Sequence, residues 1–552
     1  MVPLSFAQQR LWFLNRLEGP SETYNVPVVL RLTGPLDIPA FVSAVRDVVD
    51  RHESLRTVFG DRDGVPYQQV LDTSAAEVTV EVSPCPTHEV DAAVDTAVRH
   101  HFDLGAGVPV LARILVVSPE EHVFVLVMHH IVCDGWSIRP LLADLSTAYR
   151  ARAAGAVPRW SPLPVRYTDF TLWQRELLGA EEDPHSLLNR QLDYWSGALA
   201  GIPDELDLPN DRPRPAASSY HGDRILFELP PSALTGMRHV ARGTGATLFM
   251  VLQAAVAALL SRLGAGTDIP VGTAIAGRSE EALDDVVGFF VNTVVLRADV
   301  SGDPTLRELV HRVRRTTLEA YAHQDVPFDR VVEHLNPARS LSRNPLYQVT
   351  VELHDEGDGG LDLPGVTCVP HPFGLATVKT DLSWDFVERT GADGQPVIRG
   401  ELSFSTDLFD RETAADLVRW FGLIVQGAIA APRQPISTLS LVSTDEQGGV
   451  PHGGARPGHR DLDVGLVERL RARCLTHPDA VAVVDAAGET TYRSLVGRAS
   501  RTARRLGAAG VRPGDVVAVL ADRGAAVITA FLAANTIGGI SLPLDIEAPP
   551  AR

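Results

Sequence analysis

Two apolar runs that lie close together in the chain constrain its fold more than any other feature. Leu111–Val117 and His122–Met128 (HVFVLVM) are almost free of polar residues. Short, nearly unbroken apolar runs are typical of strands that are buried on both faces, and such strands need helices on both sides of their sheet. The sequence therefore predicts an α/β protein.

Strand-like and helix-like segments alternate through the first 440 or so residues. Val26–Leu32 predicts a strand, and Asp37 is placed to cap the helix that follows it. Thr247–Leu260 is apolar but too short to span a bilayer, so it indicates a buried helix. A second α/β series begins at Ile225, after the aperiodic segment Asp207–Pro215. We expect two lobes, residues 1–180 and 181–442, joined near residues 175–220.

The amino-acid composition of the chain changes after the second lobe. Ser443–Asp463 is rich in Gly and Pro and almost free of bulky apolar residues, as an interdomain linker would be. Residues 464–552 then begin a further α/β unit. Ala480–Val484 and Asp515–Leu520 predict buried strands, and Tyr492–Leu506 predicts a helix between them.

Composition excludes several classes of protein. The net charge of −19 argues against a general nucleic-acid binder. Four cysteines lie far apart without a C-x-x-C pair, which argues against a zinc site or a disulfide framework. The N-terminus lacks the pattern of a signal peptide, so we expect a cytoplasmic protein without a membrane partner. The chain has one lysine, Lys379, so a mechanism that needs a lysine can use no other.

The segment MHHIVCDGWS (Met128–Ser137) directly follows the second apolar run. A buried strand that ends in clustered titratable residues is a favourable place for an active site. Adjacent strand residues point to opposite faces, so His129 and His130 are poorly placed to share an ion, and we expect no metal site. The order of residues favours His129 and Asp134 as holders of the loop and His130 as the group that faces substrate. A lone structural histidine is the alternative.

His129, His130, Asp134 and Gly135 match the HHxxxDG motif of condensation domains of nonribosomal peptide synthetases, which chloramphenicol acetyltransferase and other acyltransferases share. There is no G-x-S-x-G elbow and no phosphate-binding P-loop. Six further segments resemble the other condensation-domain motifs in order: Ser5–Leu14, Arg51–Phe59, Tyr167–Trp173, Val287–Arg297, His323–Arg330 and Arg339–Leu346.

The resemblance implies two chloramphenicol-acetyltransferase-like lobes arranged as a V-shaped pseudo-dimer, with His130 in a tunnel between them. A donor and an acceptor carrier protein would present their thioesters on phosphopantetheine arms from the two mouths, with no cofactor bound covalently to this chain. The acceptor amine would attack the donor thioester and form a peptide bond. Gly135 is a candidate to stabilise the oxyanion through its backbone N–H.

The resemblance also implies roles for residues around the motif. His129 and Asp134 would be structural, and Asp134 would pair with an arginine, for which Arg51 and Arg56 are candidates and Arg343 a further one. Four residues are expected along the substrate tunnel or in the loop that bridges the lobes: Trp136, Ser137, Asn292 and Thr293.

The tail resembles the beginning of an adenylation domain. Thr491–Leu495 (TYRSL) is similar to its first core motif, and Ile537–Asp545 (IGGISLPLD) is similar to its second. The later ATP-binding motifs are missing, so we expect a truncated fragment without adenylation activity. The rest of an adenylation domain would be its partner in a parent synthetase.

The opening segment resembles the condensation subtype that takes L-configured donors. The dual epimerising subtype carries an additional histidine motif near its start, and no histidine precedes His52. Two alternatives stay open. One is a related acyltransferase that forms an ester or loads a fatty acyl group. The other is a non-catalytic recruitment platform, although such domains usually have a degraded histidine motif and here the motif is intact.

Overall fold

The computed structural model describes residues 2–76, 78–338, 340–354, 360–374, 377–391, 394–442 and 465–544. The predicted linker, residues 443–463, lies outside them. The chain divides into two compact units, Met1–Ser443 and Thr444–Arg552. The strands are β1 Val2–Pro3, β2 Asn25–Thr33, β3 Thr57–Arg62, β4 Val65–Val70, β5 Val80–Pro84, β6 Val110–Ser118, β7 Glu121–His129, β8 Gly222–Leu229, β9 Asp268–Ile275, β10 Asn292–Asp299, β11 Val349–His354, β12 Thr367–Pro370, β13 Leu382–Thr390, β14 Pro396–Ser405, β15 Val481–Asp485, β16 Gly488–Thr491, β17 Val516–Leu520 and β18 Ile540–Leu544.

The helices alternate with the strands along the chain, as predicted. They are α1 Phe6–Glu18, α2 Ile38–Arg51, α3 Val90–Val98, α4 Ile138–Ala153, α5 Tyr167–Leu178, α6 Leu187–Ala198, α7 Pro231–Thr244, α8 Leu248–Arg262, α9 Leu306–Tyr321, α10 Phe328–Leu335, α11 Arg411–Ala430, α12 Leu466–Thr476, α13 Tyr492–Ala508 and α14 Ala525–Thr536.

The first lobe is built on a five-stranded sheet with the order β12-β2-β7-β6-β5. Every residue from His122 to His129 in β7 is buried, as its apolar run predicts. The Asp37 carboxylate accepts the Ala40 N–H at 3.0 Å and so caps α2, as expected. Phe41 of α2 meets Phe124 of β7 edge to face, with 4.9 Å between the ring centroids. The end of β7 is therefore held in a rigid core.

The second lobe contains a six-stranded sheet with the order β10-β9-β11-β13-β14-β8. The predicted apolar helix is α8, and all its residues from Met250 to Leu260 are buried, so it forms the centre of this lobe. Trp384 and Phe386 of β13 pack with Phe421 of α11 in the same core.

Segments of the second half of the chain also belong to the first lobe. β12 pairs with β2 in the first sheet, with Thr367 opposite Thr33. Phe289 and Phe290 pack in the core of the first lobe, whereas Val294, two residues into β10, packs in the core of the second. The stretch that leads into β10 therefore bridges the lobes, in addition to the predicted crossover near residues 175–220.

The second unit has a two-stranded antiparallel sheet, β15-β16, and a parallel pair, β17-β18. The predicted strands and helix form close to the predicted positions. The expectation that the strands are buried is wrong for most of their residues, because Val481, Val484, Val516 and Leu520 are exposed. Each strand pairs with one neighbour within the described residues. Helix residues cover Ala482 and Val483 of β15, and most other residues of the two predicted strands are exposed.

Across the described ranges, no single helix is long and apolar enough to cross a membrane. The helix pair α7 and α8, bent by 106°, meets the length and composition test when taken together.

Candidate active site at the end of β7

The predicted histidine pair lies where β7 ends and a short 3₁₀ turn begins. His129 is buried, and its Nδ1 accepts the backbone N–H of Ile131 at 3.1 Å. The His129 carbonyl accepts the thiol of Cys133, with 3.8 Å between sulfur and oxygen. These two hydrogen bonds stabilise the turn on its buried side. His129 therefore fixes the backbone, and His130 faces outward.

His130 is held from two directions and remains partly exposed. Its backbone N–H donates to the carbonyl of Tyr24 at 2.8 Å. Its ring meets the ring of Phe289 edge to face, with 4.8 Å between the centroids. Nδ1 of His130 is buried and has no hydrogen-bond partner among the described residues. Tyr24 thus holds the backbone of His130, and Phe289, in the segment that bridges the lobes, packs against its ring.

Both histidines are neutral at physiological pH. Burial lowers the pKa of His130 to about 3, and the positive charge of Lys379 is the next cause. Burial also lowers the pKa of His129 to about 3, with contributions from His130 and Lys379. A neutral imidazole can accept a hydrogen bond from a substrate, but with so low a pKa it is a weak base.

Asp134 is fully buried and lies at the centre of a network that joins distant parts of the chain. Its Oδ2 accepts the Arg278 guanidinium at 2.9 Å and the Phe290 N–H at 3.0 Å. Its Oδ1 accepts the Ser137 N–H at 2.9 Å. The Arg278 guanidinium also lies over the Phe290 ring, 4.2 Å from its centroid. The network ties the histidine turn to the segment that leads into β10.

The expected arginine partners of Asp134 are wrong. Arg51 donates through Nε to Asp144 of α4 at 2.7 Å, because the end of α2 packs against α4. Arg56 donates to the Leu71 carbonyl, and Arg343 pairs with Glu205 at 2.9 Å in the second lobe. The partner of Asp134 is Arg278, which follows β9. Arg278 lies outside every segment that resembles a family motif, so the sequence did not indicate it.

Ser137 is also not a tunnel residue, because it is fully buried. Its hydroxyl contacts Asp134 Oδ1 at 2.8 Å and the Gly288 carbonyl at 2.9 Å, so it belongs to the same network. Trp136 is 39% exposed and is not a core residue. Gly135 is exposed, and a Cβ atom built on it would have no atom within 4 Å. The backbone of the motif therefore borders open space at Gly135.

Asn292 and Thr293 begin β10 at the bridge between the lobes. The Asn292 amide donates to the carbonyls of Gln324 and Val326 at 2.9 and 2.8 Å, and so fixes the loop before α10. A cavity of about 50 Å³ next to them is lined by residues of both lobes, among them Arg10, Phe289, Asn292, Thr293 and Asp329. Phe289 lines this cavity and also packs against the His130 ring.

The sequence did not predict several charged side chains that lie beside this cavity or beside Tyr24. Arg10 of α1 lies 3.6 Å from Asp329 of α10, and the Lys379 ammonium lies 4.8 Å from the centroid of the Tyr24 ring. One signal for Lys379 is its being the only lysine. Arg10 and Tyr24 lie within or just after the opening motif, but nothing in the sequence separates them from their polar neighbours.

Among the described residues, one group with metal-ligating geometry lies on β11 and β13. Ligand atoms of Glu352, His354 and Asp385 lie within 4.8 Å of one another. Glu352 on β11 is directly opposite Asp385 on β13 in the parallel ladder, which explains their closeness.

Comparison with known proteins agrees with this geometry. Residues 1–449 match the condensation-domain family, and residues 470–552 match the family of AMP-binding enzymes. The chain is 48% identical over its whole length to the nonribosomal peptide synthetase CymA of Salinispora arenicola, and 44% identical to a dimodular nonribosomal peptide synthase of Bacillus subtilis. It spans 7% and 23% of the length of these two relatives.

Solved structures give the same answer for the fold. The X-domain of teicoplanin biosynthesis, in its complex with OxyB, is 35% identical with a TM-score of 0.74, over 80% of this chain and 96% of that chain. A four-domain nonribosomal peptide synthetase bound to AMP and glycine has a TM-score of 0.77 at 23% identity, over 99% of this chain and 42% of that one.

The chain therefore belongs to the condensation-domain family, whose members in nonribosomal peptide synthetases are acyltransferases that form amide bonds. Within the chain, the condensation domain is followed by a short N-terminal piece of an AMP-binding, or adenylation, domain. The predicted fold class, a two-lobed α/β protein similar to chloramphenicol acetyltransferase with a partial adenylation unit, is confirmed.

Proposed function

We propose that this chain joins an acceptor amine to a donor thioester, each delivered on the phosphopantetheine arm of a carrier protein. The observation that carries the proposal is His130: neutral, partly exposed, and clamped by Tyr24 and Phe289 where the two lobes meet. The amine nitrogen forms the new bond to the donor carbonyl carbon, and the carbon–sulfur bond breaks. The thiolate leaves on the donor arm, and one amine proton is released.

Positioning is the main contribution of His130 in this mechanism. We assign the proton of the neutral ring to buried Nδ1, which leaves the lone pair of Nε2 for the substrate. Nε2 then accepts an N–H of the acceptor amine. Alignment of two tethered reactants contributes ~7–11 kcal/mol. Deprotonation of a free α-amine of pKa ~7.7–8.0 contributes about 1.4 kcal/mol at pH 7.

The developing negative charge on the donor oxygen needs a hydrogen-bond donor nearby. The exposed backbone at Gly135 supports a role for its N–H, since a substrate atom can approach there without meeting a side chain. Asp134 and Ser137 hold that backbone from the buried side, through the Ser137 N–H and hydroxyl. Trp136, Asn292 and Thr293 are proposed to border the path of the substrate arms.

We further propose an L-configured aminoacyl or peptidyl donor, a cytoplasmic location and a parent synthetase that contains the rest of the adenylation domain. The opening segment supports the donor configuration. The relatives, of which this chain covers a small part, support the parent synthetase and the carrier partners.

A second candidate function is a recruitment platform. The X-domain in the complex with OxyB is 35% identical to this chain, which favours that possibility. A fatty-acyl donor is a variant of the first proposal, because a starter condensation domain bound to C8-CoA has the same fold at 20% identity and a TM-score of 0.67. The intact histidine motif and the partly exposed His130 favour catalysis over the platform.

The test is a two-carrier assay read by intact-protein mass spectrometry. The acceptor carrier holds an aminoacyl or a hydroxyacyl group, and the donor carrier holds an L-aminoacyl, a D-aminoacyl or a fatty acyl group. A dipeptidyl acceptor carrier that forms from the L-loaded donor supports the proposal. Product from the D-loaded donor alone overturns the stereochemical part. Absence of product from every pair, with the chain folded, favours the platform.

A further inference from the structure

A cluster of three metal-ligating side chains lies on the second-lobe sheet, and the proposed mechanism does not use it. Glu352 and His354 are two residues apart on β11, so their side chains lie on the same face of the sheet. Asp385 of β13 is directly opposite Glu352 in the parallel ladder. One ligand atom from each of the three residues lies within 4.8 Å of the others. Two neighbouring strands thus bring together two carboxylates and an imidazole.

The distances within the cluster match those around a tetrahedral metal ion. Nε2 of His354 lies 3.3 Å from Oδ1 of Asp385 and 3.5 Å from Oε2 of Glu352. Metal–ligand bonds of about 2.0–2.2 Å at tetrahedral angles place two ligand atoms about 3.3–3.6 Å apart. The same nitrogen faces both carboxylates, and its single N–H can donate to only one of them with good geometry. A metal ion between the three atoms contacts all of them.

Hydrogen bonds from neighbouring side chains orient Asp385. The Ser383 hydroxyl donates to Oδ2 of Asp385 at 2.8 Å, and the Thr350 hydroxyl donates to Ser383 at 2.9 Å. Oδ2 is therefore occupied, and Oδ1 is the oxygen that lies beside His354. Such partners fix the orientation of ligating carboxylates in metal sites. β11 and β13 are interior strands, and alternate residues such as Trp384 are buried in the core, so the backbone under the cluster is rigid.

The charge around the cluster also favours a cation. Asp385 has Glu352 opposite it on β11 and Glu401 opposite it on β14, so three carboxylates lie in a row across three strands. Like charges that are directly opposite each other destabilise a sheet. Glu401 pairs with Arg224 at 3.5 Å. Within the described ranges, the only ion pairs of Glu352 and Asp385 are those with His354. One imidazole cannot balance the charge of both carboxylates.

We propose that Glu352, His354 and Asp385 bind one divalent transition-metal ion, for which Zn²⁺ is the probe, with a fourth position open to solvent. An imidazole ligand favours transition metals, whereas Mg²⁺ and Ca²⁺ prefer oxygen ligands alone. His354 is exposed, so an ion reaches the site from solvent without opening of the fold. The bound ion links β11 to β13 across the ladder.

This metal site is independent of the proposed function. The prediction of no metal site considered the adjacent histidines and the spacing of the cysteines. The sequence did not indicate the cluster, because His354 and Asp385 are 31 residues apart and only the pairing of β11 with β13 brings them together.

The first test is a calorimetric titration of the metal-free full chain with Zn²⁺ and, separately, with Mg²⁺. The chain has 18 histidines, so variants must separate this site from binding elsewhere. His354→Gln and Asp385→Asn each remove one ligand, and each should abolish one equivalent of Zn²⁺ binding. His88→Gln, at an exposed histidine beside Glu89, and Glu401→Gln should retain that equivalent. Mg²⁺ should neither bind nor compete.

The second test asks whether the surrounding hydrogen bonds and the fold respond to the ion. Ser383→Ala removes the hydrogen bond to Oδ2 of Asp385 and should weaken Zn²⁺ binding about 10–100-fold without abolishing it. Zn²⁺ at about 100 times its dissociation constant should raise the urea midpoint of the wild type by about 1 M and leave that of His354→Gln unchanged. Without metal, the variants should unfold at the wild-type midpoint, since the side chains they replace are partly exposed.

Co²⁺ in place of Zn²⁺ reports the coordination geometry. The wild type should show the intense visible bands of four-coordinate Co²⁺, and His354→Gln should lack them. Weak bands of six-coordinate Co²⁺ in the wild type contradict the tetrahedral arrangement. Absence of Zn²⁺ binding by the wild type overturns the proposal. So does equal binding by the wild type, His354→Gln and Asp385→Asn, which would indicate an adventitious ion only and leave the three residues as an ion-pair cluster.

Discussion

Asp134→Ala should destabilise the first unit far more than removal of an exposed carboxylate. Asp134 is fully buried and accepts hydrogen bonds from the Arg278 guanidinium, the Ser137 N–H and the Phe290 N–H. The Arg278 side chain is itself 4% exposed, so the variant leaves a buried cation without its carboxylate. Breaking a buried pair of this kind costs ~3–5 kcal/mol. An exposed pair such as Arg411–Asp223 contributes about 0–1 kcal/mol, so Asp223→Ala is the matched control.

Tryptophan fluorescence is a suitable probe for this experiment. All seven tryptophans precede residue 443, so their emission reports on the first unit and not on the adenylation fragment. With a urea m-value of about 3 kcal/mol/M, the midpoint of urea unfolding should fall by about 1 M or more in Asp134→Ala. Asp223→Ala should stay close to the wild type.

A double-mutant cycle tests the pairing itself. Adding Arg278→Met to Asp134→Ala removes the unpaired cation, so the double variant should be less destabilised than the sum of the two single variants, by about 0.5–3 kcal/mol. Additive effects, or a midpoint for Asp134→Ala equal to that of the wild type, would refute the structural role assigned to this network.

Two further predictions concern the histidine turn. Gly135→Ala should leave the urea midpoint unchanged, because a Cβ atom there meets nothing within 4 Å. The variant should nevertheless slow condensation, because the new methyl group stands where the substrate approaches the backbone. Unchanged rates would remove Gly135 from the mechanism. The pKa of His130 is about 3 in the folded chain, below its ordinary value of 6.5, so the unfolded chain binds more protons between those values and the free energy of unfolding rises with pH across that window. His130→Gln should make this rise less steep without abolishing it, because His129 has a similarly low pKa. Urea midpoints at pH 5 and pH 7 measure the rise, and an equally steep rise would contradict the low pKa of His130.

The sequence predicts local features of this fold well, because local patterns produce them. The apolar run of β7, the Asp37 cap of α2 and the buried helix α8 each follow from residues within one element. The histidine pair was found in the same way, since it lies at the end of a recognisable strand.

Contacts between distant segments could not be predicted from the sequence. Arg278 is 144 residues from Asp134, and only the packing of the bridge segment against the histidine turn brings them together. Arg51 lies in a segment that resembles a condensation-domain motif but faces α4, where it pairs with Asp144. Ser137 adjoins the motif glycine and still points into the buried network. The prediction of buried strands in the second unit was wrong for a related reason, because an apolar pattern does not reveal which faces of a strand other elements cover.

The most direct test of the central claim is a single-turnover measurement of peptide transfer by the full chain. Donor and acceptor carriers are preloaded, and the rate is compared among the wild type, His130→Ala and His88→Ala, a control at an exposed histidine in the same lobe. Because His130 positions the amine, His130→Ala should be at least ~100-fold slower with an unchanged urea midpoint, and His88→Ala should match the wild type. Equal rates in all three proteins would contradict a direct role for His130.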